Sequence, residues 1–158
     1  MRKVVANTTP LIALADIGKL DLLHQIYNEI YIPRAVQEEI ISEPAKTLVS
    51  NSDWIKVIDI QNESQKSTFS TRLHSGEIEV ILLSQEQNAD LLIMDDNAAK
   101  KTAKFLGLSV TGTLGVIIKA KQEGLIDSVK EIIDQLLLDG LFMDDRLINR
   151  VLESAGEL

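Results

Sequence analysis

The chain has 158 residues, 45% of them hydrophobic and 4% aromatic, a length that suits a single domain with a sizeable core, which we expect to span residues 1–158. The absence of cysteine excludes a disulfide scaffold and a thiolate metal site, and no apolar run approaches the roughly 20 residues that cross a bilayer. The net charge of −8 disfavours a polyanionic partner unless a local basic patch or bound cations offset it.

The first half of the chain alternates predicted strands and helices. Its start, MRKVVANTTP, lacks the long apolar region that directs secretion, so we expect a cytoplasmic protein. The run KVVAN predicts a buried strand over 3–7, and Thr9 is expected to cap a helix that begins at Pro10 and ends near Gly18. The next predicted elements are a helix over 20–27, a strand over 29–32, a helix from Pro33 to about Ile41 and a strand over 55–60.

The second half continues the alternation after a polar stretch, 61–71, that we predict to be a loop. The predicted elements are a helix over 76–87, a strand over 90–94, a helix over 97–106, a short strand at LSV, a helix that ends at Gly124, and helices near 127–138 and 144–152. Alternating strands and helices predict a parallel sheet with right-handed crossovers and helices on both faces. The expected fold class is therefore α/β.

Polar side chains are expected at the carboxyl edge of this sheet, where α/β proteins bind ligands. Asn7 ends the first strand, Asp95 and Asp96 end the strand DLLIM, and Glu77 begins the preceding helix. That helix is about 18 Å long and the returning strand covers about 17 Å. Because these lengths nearly cancel, Asp95 should return close to Glu77.

A third acidic group comes from the helix that begins at Pro33. Glu38 and Glu39 lie in its second turn, and side chains on a helix lean toward its N-terminus, so one of them can reach the same edge. Spacing alone does not decide between the two. Several carboxylates and an amide in one cleft are hard oxygen ligands that require a cation, and the expected ion is Mg²⁺ or Mn²⁺. Such a site suits phosphodiester hydrolysis.

Four stretches carry a resemblance to a known family over nearly the whole chain. They are VVANTTPLIALADIGKLDLL, IYIPRAVQEEI, SGEIEVILLSQEQNADLLIMDD and GLSVTGTLGVIIKAKQEGLI. With these stretches in this order, the sequence resembles the PIN-domain ribonucleases, especially a VapC-like branch. The resemblance implies a three-layer α/β/α sandwich around a central parallel sheet, with an Mg²⁺- or Mn²⁺-dependent RNase site at its carboxyl edge. It also implies a homodimer and the role of toxin beside an antitoxin protein.

The same resemblance assigns roles to individual residues. The positions of the family's four acids fall on Asn7, Glu39, Glu77 and Asp95. The last three are implied metal ligands, Asp96 adds an outer metal contact, and Thr9 matches a hydroxyl residue that braces the first acid. Asn7 departs from the pattern because an amide supplies no negative charge. This departure weakens cation binding and leaves a second function open, that of a catalytically weakened module that binds a protein partner.

Each of these residues also has a purely structural interpretation. Asn7 can shape the turn before the helix, Glu77 can stabilise a helix N-terminus, and Asp95 or Asp96 can cap the next helix. Lys100, Lys101 and Lys104 on that helix are either a patch that guides RNA phosphates or an ordinary charged face, and Arg34 and Arg72 are equally open.

A phosphoacceptor domain of the response-regulator type is a further alternative suggested by the pair Asp95 and Asp96. That class places its acids after the first and third strands, whereas here Asn7 follows the first strand and the acidic pair follows a late one. The order of the acids therefore disfavours it.

Overall fold

The computed structural model describes residues 2–69 and 73–158. Within these residues five parallel strands form one sheet in the order β3-β2-β1-β4-β5. Helices cover both faces of the sheet, which confirms the predicted α/β/α fold class. The strands are β1 (Val4–Ala6), β2 (Ile30–Ile32), β3 (Ile55–Val57), β4 (Leu91–Ile93) and β5 (Val110–Thr111).

The helices follow the strands in the order expected for crossover connections. They are α1 (Thr8–Asp16), α2 (Asp21–Tyr27), α3 (Arg34–Glu39), α4 (Ala45–Asn51), α5 (Ser75–Gln87), α6 (Asn97–Phe105), α7 (Thr113–Gln122), α8 (Val129–Leu138) and α9 (Asp145–Ser154), with a 3-10 helix over Glu63–Thr68. In the part of the chain that the structure describes, no helix is both long and apolar enough to span a bilayer.

The core lies around the two central strands and α5. All residues of β1 and β4 are buried, as expected for strands of a parallel sheet that is covered on both faces. Helix α5 is buried continuously from Gly76 to Ser84, so it packs on all sides rather than along one stripe. This burial includes two carboxylates, Glu77 and Glu79, which must find polar partners inside the protein.

The strand order reverses between β1 and β4. From β1 the chain proceeds outward to β2 and β3, and it then returns to the other side of β1 for β4 and β5. Val5 pairs with Leu92 and Ala6 with Ile93, and the Asn7 amide N–H donates to the Ile93 carbonyl at 2.8 Å. The residues that follow β1 and β4 therefore meet at the point where such folds form ligand sites.

Two predictions about local structure were wrong. Helix α1 begins at Thr8, with Asn7 rather than Thr9 in the cap position. Pro10 is accommodated as the third helical residue because amide groups of the first turn have no partner within the helix. The predicted loop over 61–71 contains the 3-10 helix, whose preceding amides of Gln61 and Asn62 donate to Glu86 on α5. Ser70 and Thr71 of that loop lie outside the described residues.

Candidate metal centre

Helices α3 and α5 bring two carboxylates of the predicted site together. Glu39 is the last residue of α3 and Glu77 lies in the first turn of α5. The Glu39 carboxyl packs against Gly76, where a Cβ atom would collide with its Oε1 and lie 2.9 Å from its Cδ. Glycine at 76 therefore makes the space that the Glu39 carboxyl fills.

Residue spacing did not decide whether Glu38 or Glu39 faces α5. The residue at which α3 ends answers this question. Ile40 has left the helical conformation, with φ −85° and ψ 86°, so Val36 and Ile40 do not form a helical stripe. The helix instead buries Val36, and Glu39 lies three residues further on the same side. Glu38 is exposed, and its negative charge helps to raise the pKa of Arg34.

The surroundings of Glu39 contain too little positive charge to stabilise the ionised form of its carboxyl group. Burial of the carboxyl group raises its pKa, and the neighbouring Glu77 carboxylate raises it further. His74 and the Thr8 hydroxyl act in the opposite direction, and Glu79 adds a smaller increase. Although the residue as a whole is accessible to solvent, its carboxyl end points inward, and this end sets the pKa.

Glu77 is held in place by the start of its own helix. Its side chain is buried, with the residue only 7% exposed, and its Oε1 accepts a hydrogen bond from the His74 amide at 2.9 Å. This contact is the structural role that the sequence allowed for Glu77, a negative charge at a helix N-terminus. It does not prevent a second role, because the carboxylate retains further acceptor positions near Glu39.

The hydroxyl group at this site belongs to Thr8. Thr8 is buried, and its Oγ1 has no hydrogen-bond partner among the described residues. It lies close enough to the Glu39 carboxyl to lower its pKa, yet without the geometry of a formed hydrogen bond. Thr9, which the resemblance assigned to this task, is exposed and borders a cavity with Ile12 and Leu141.

Asn7 is buried, with only 5% of its surface exposed. Its side chain does not cap α1, although its backbone amide donates to the Ile93 carbonyl. The turn-forming interpretation therefore explains the backbone conformation of Asn7 but not the burial of its side-chain amide. The Asn7 side chain is thus buried at the carboxyl end of β1, directly before Thr8.

The two aspartates after β4 have separate tasks. Asp96 caps α6, with its Oδ2 accepting from the Ala99 amide at 2.9 Å. Asp95 turns toward the start of α7, where it accepts from the Thr113 amide at 2.8 Å and from the Thr113 hydroxyl at 2.6 Å. Thr113 is buried, so this contact fixes the Asp95 carboxylate firmly.

Of the three lysines on α6, Lys100 approaches the site most closely. A Cβ atom at Gly112 would lie 2.6 Å from Asp95 Oδ1 and 3.0 Å from Lys100 Nζ, so both groups border the same glycine. Lys101 and Lys104 are exposed, and none of the three forms an ion pair with the described residues. Arg34 pairs with Asp59 at 3.0 Å, whereas Arg72 lies outside the described residues.

A divalent cation of the Mg²⁺ type needs hard oxygen donors at its site. Residues 2–69 and 73–158 contain no group of three or more acidic, histidine or cysteine side chains arranged to share one ion. They do contain the pair Glu39 and Glu77, which repel each other, together with the unpartnered Thr8 hydroxyl. Mg²⁺ is commonly bound by one or two carboxylates and several waters, so this set of hard oxygen donors fits Mg²⁺ or Mn²⁺.

Sequence reasoning missed three groups that shape the site. His74 and Glu79 both act on Glu39, and Thr113 fixes Asp95. A signal for Glu79 is present in the sequence, because it is a charged residue within the apolar run of SGEIEVILL. The roles of His74 and Thr113 depend on contacts between elements and have no local pattern.

Comparison with known proteins places the chain in a family. The model of the DUF3368 family, described as a PIN domain, matches residues 3–157. Among curated proteins, none matches the chain. The match covers nearly the entire chain, including every residue of the candidate site.

Proposed function

Since the chain belongs to the DUF3368 family of PIN domains, a nuclease-type fold, we propose that it is a divalent-metal-dependent endoribonuclease of the VapC-like type. Its substrate in this proposal is RNA, and the reaction is hydrolysis of a phosphodiester bond. The observation that carries the proposal is the pairing of Glu39 with Glu77 beside the unpartnered Thr8 hydroxyl at the carboxyl edge of the sheet.

Each group of the chain has a defined task in this proposal. Glu39 and Glu77 would hold Mg²⁺ or Mn²⁺, and the Asn7 amide would add a neutral oxygen. The bound cation would neutralise charge that develops on the phosphodiester. The Thr8 hydroxyl can donate a hydrogen bond to a water or a phosphate oxygen, because no protein group among the described residues occupies it. Lys100, beside Asp95, brings positive charge to the approach of a phosphate.

The proposal extends to the setting of the protein. We infer a cytoplasmic homodimer that acts as the toxin of a toxin–antitoxin pair, inhibited by an antitoxin protein. The family membership and the VapC-like motifs support this role.

RNA cleavage by the purified protein tests the nuclease activity. We expect cleavage of unstructured RNA with Mn²⁺, and its loss when EDTA is added. Glu39→Gln should lower the rate by at least about tenfold, as expected when a group at a metal site is removed. Glu38→Gln is the matched control, since Glu38 is exposed on the same helix and should leave the rate unchanged. Equal rates for the parent, Glu39→Gln and Asp95→Ala would indicate a contaminating nuclease and end the proposal.

A second function, protein binding by a catalytically weakened module, is favoured by two observations. The position of the first acid holds Asn7, and Asp95 is already satisfied by Thr113. Asn7→Asp adds the missing charge and separates the two functions. If the parent protein is inactive with Mn²⁺ and Asn7→Asp cleaves RNA, the site is a weakened one and partner binding becomes the function.

A further inference from the structure

An ion pair with a buried carboxylate joins three elements next to the candidate site. The Glu79 side chain on α5 is 8% exposed, and its Oε2 lies 2.6 Å from the ammonium group of Lys66 in the 3-10 helix. Its Oε1 accepts a hydrogen bond from the Ala35 amide at 3.2 Å, in the first turn of α3. Glu79 therefore connects α5, α3 and the 3-10 helix through one carboxylate.

Helix α3 needs such a connection because it is short. It has six residues, and Pro33 in its cap position provides no side-chain hydrogen bond to the first turn. A helix of this length is not stable by itself, and its position depends on tertiary contacts. Val36 anchors it to the core, and Glu79 holds its first turn. Glu39 is at the other end of the same helix, so the Glu79 contact limits how far the Glu39 carboxyl can move from Glu77.

Lys66 offsets the electrostatic cost of burying the Glu79 carboxylate. A buried carboxylate with one neutral hydrogen bond would be strongly destabilising, and the ammonium group at 2.6 Å compensates it. Loss of Lys66 would leave Glu79 as an unpaired buried charge that favours movement toward water. Such movement would release the Ala35 amide and, with it, the start of α3.

We infer that Glu79, supported by Lys66, is a positioning residue that holds α3 so that Glu39 faces Glu77. The inference rests on the proposed function, because it assigns Glu79 the task of preorganising the carboxylates that bind the cation. Residues that orient metal ligands in this way typically change metal affinity by about 10- to 100-fold when mutated.

Glu86 provides a matched control for Glu79. It also lies on α5 and also tethers the segment before the 3-10 helix, by accepting from the Gln61 and Asn62 amides, but among the described residues it forms no hydrogen bond with α3. Glu79→Ala and Glu86→Ala each remove one carboxylate tether from the same helix. Two measurements compare them, Mn²⁺ affinity by titration calorimetry and hydrogen exchange of the α3 amides without metal. Thermal unfolding establishes that each variant is folded at the temperature used.

We expect Glu79→Ala to weaken Mn²⁺ binding by at least about tenfold and to speed exchange of the α3 amides. Glu86→Ala should leave both within about twofold of the parent. Unchanged α3 exchange in Glu79→Ala, or an affinity equal to that of Glu86→Ala, would overturn the inference. If the parent binds no Mn²⁺, the proposed function fails, and α3 exchange alone then decides whether Glu79 positions the helix.

A second set of variants keeps the test decisive if Glu79→Ala does not fold. Lys66→Met leaves the Glu79 charge unpaired, whereas the double variant Lys66→Met with Glu79→Gln removes that charge and retains an acceptor for the Ala35 amide. We expect the double variant to bind Mn²⁺ more tightly, and to exchange its α3 amides more slowly, than Lys66→Met alone. No recovery of either property in the double variant would contradict a positioning role.

Discussion

Gly76 decides where the Glu39 carboxyl can lie. The residue is buried in the first turn of α5, and the missing side chain leaves the volume that Glu39 fills from α3. Glycine is costly in a helix by up to about 1 kcal/mol relative to alanine. Its presence is explained by the close approach of the carboxyl group rather than by backbone conformation.

Replacement of Gly76 by alanine should therefore separate activity from stability. We expect Gly76→Ala to displace the Glu39 carboxyl and to reduce Mn²⁺-dependent RNA cleavage by at least about tenfold. Gly115→Ala is the control, because its Cβ would collide with the Thr111 side chain, away from Glu39. Cleavage rates and urea unfolding curves of both variants provide the measurement. Full activity in Gly76→Ala would show that the position of Glu39 is not important for the reaction.

At the scale of the elements, two helices in this protein are held at their N-terminal ends by carboxylates from elsewhere in the chain. Glu79 holds the start of α3, and Glu157 does the same for α8. The Glu157 carboxylate accepts from Lys121 Nζ and from the Val129 amide, both at 2.7 Å, and from the Lys130 amide at 3.1 Å. It thereby joins the residues after α9 to both α7 and α8.

These contacts make the stability of the C-terminal helices depend on pH. The Lys121 ammonium, followed by the Val129 amide, lowers the pKa of Glu157 from its usual 4.5 to about 2. Because the unfolded chain binds the proton more readily, this stabilisation is complete above the unfolded pKa and is lost as the pH falls toward the folded one. We therefore expect Glu157→Gln to be less stable than the parent at pH 7, with a difference that shrinks as the pH falls from about 5 to about 2.

Urea unfolding at several pH values measures this difference. Glu153→Gln on α9 is the control, since the Glu153 side chain is exposed and accepts no hydrogen bond from the described residues. A stability difference between Glu157→Gln and the parent that does not vary with pH would contradict the assigned role.

At the scale of the whole molecule, a net charge of −8 opposes the approach of RNA. Any attraction must come from a local region. The first lysine of α6, Lys100, lies beside Asp95 at the carboxyl edge of the sheet. Since these lysines have no ion-pair partners among the described residues, their charge is available to a phosphate.

The salt dependence of RNA binding tests this local patch. We expect the double variant Lys100→Glu with Lys104→Glu to bind RNA more weakly and to show a flatter dependence of affinity on salt, because fewer counterions are released. Lys130→Glu on α8 changes charge on another helix and should have a smaller effect. Fluorescence anisotropy at several salt concentrations measures both quantities. An unchanged slope in the double variant would exclude Lys100 and Lys104 from the RNA-binding surface.

The sequence by itself determined the alternation of strands and helices and the parallel sheet, but it predicted neither α4 nor the 3-10 helix. These features follow from local patterns, because periodic burial and turn residues are properties of neighbouring positions along the chain. The same patterns correctly placed Glu77 in the first turn of the helix that precedes β4.

Only the tertiary structure decided which side chains meet there. It set the Glu39 carboxyl against Gly76, placed Thr8 rather than Thr9 beside it, directed Asp95 to Thr113, and revealed Glu79 as the link between α3 and α5. The physical reason is that the residues in contact are far apart along the chain. The contact between Ala35 and Glu79 spans 44 residues, so it depends on how separately formed helices pack and on where each one ends.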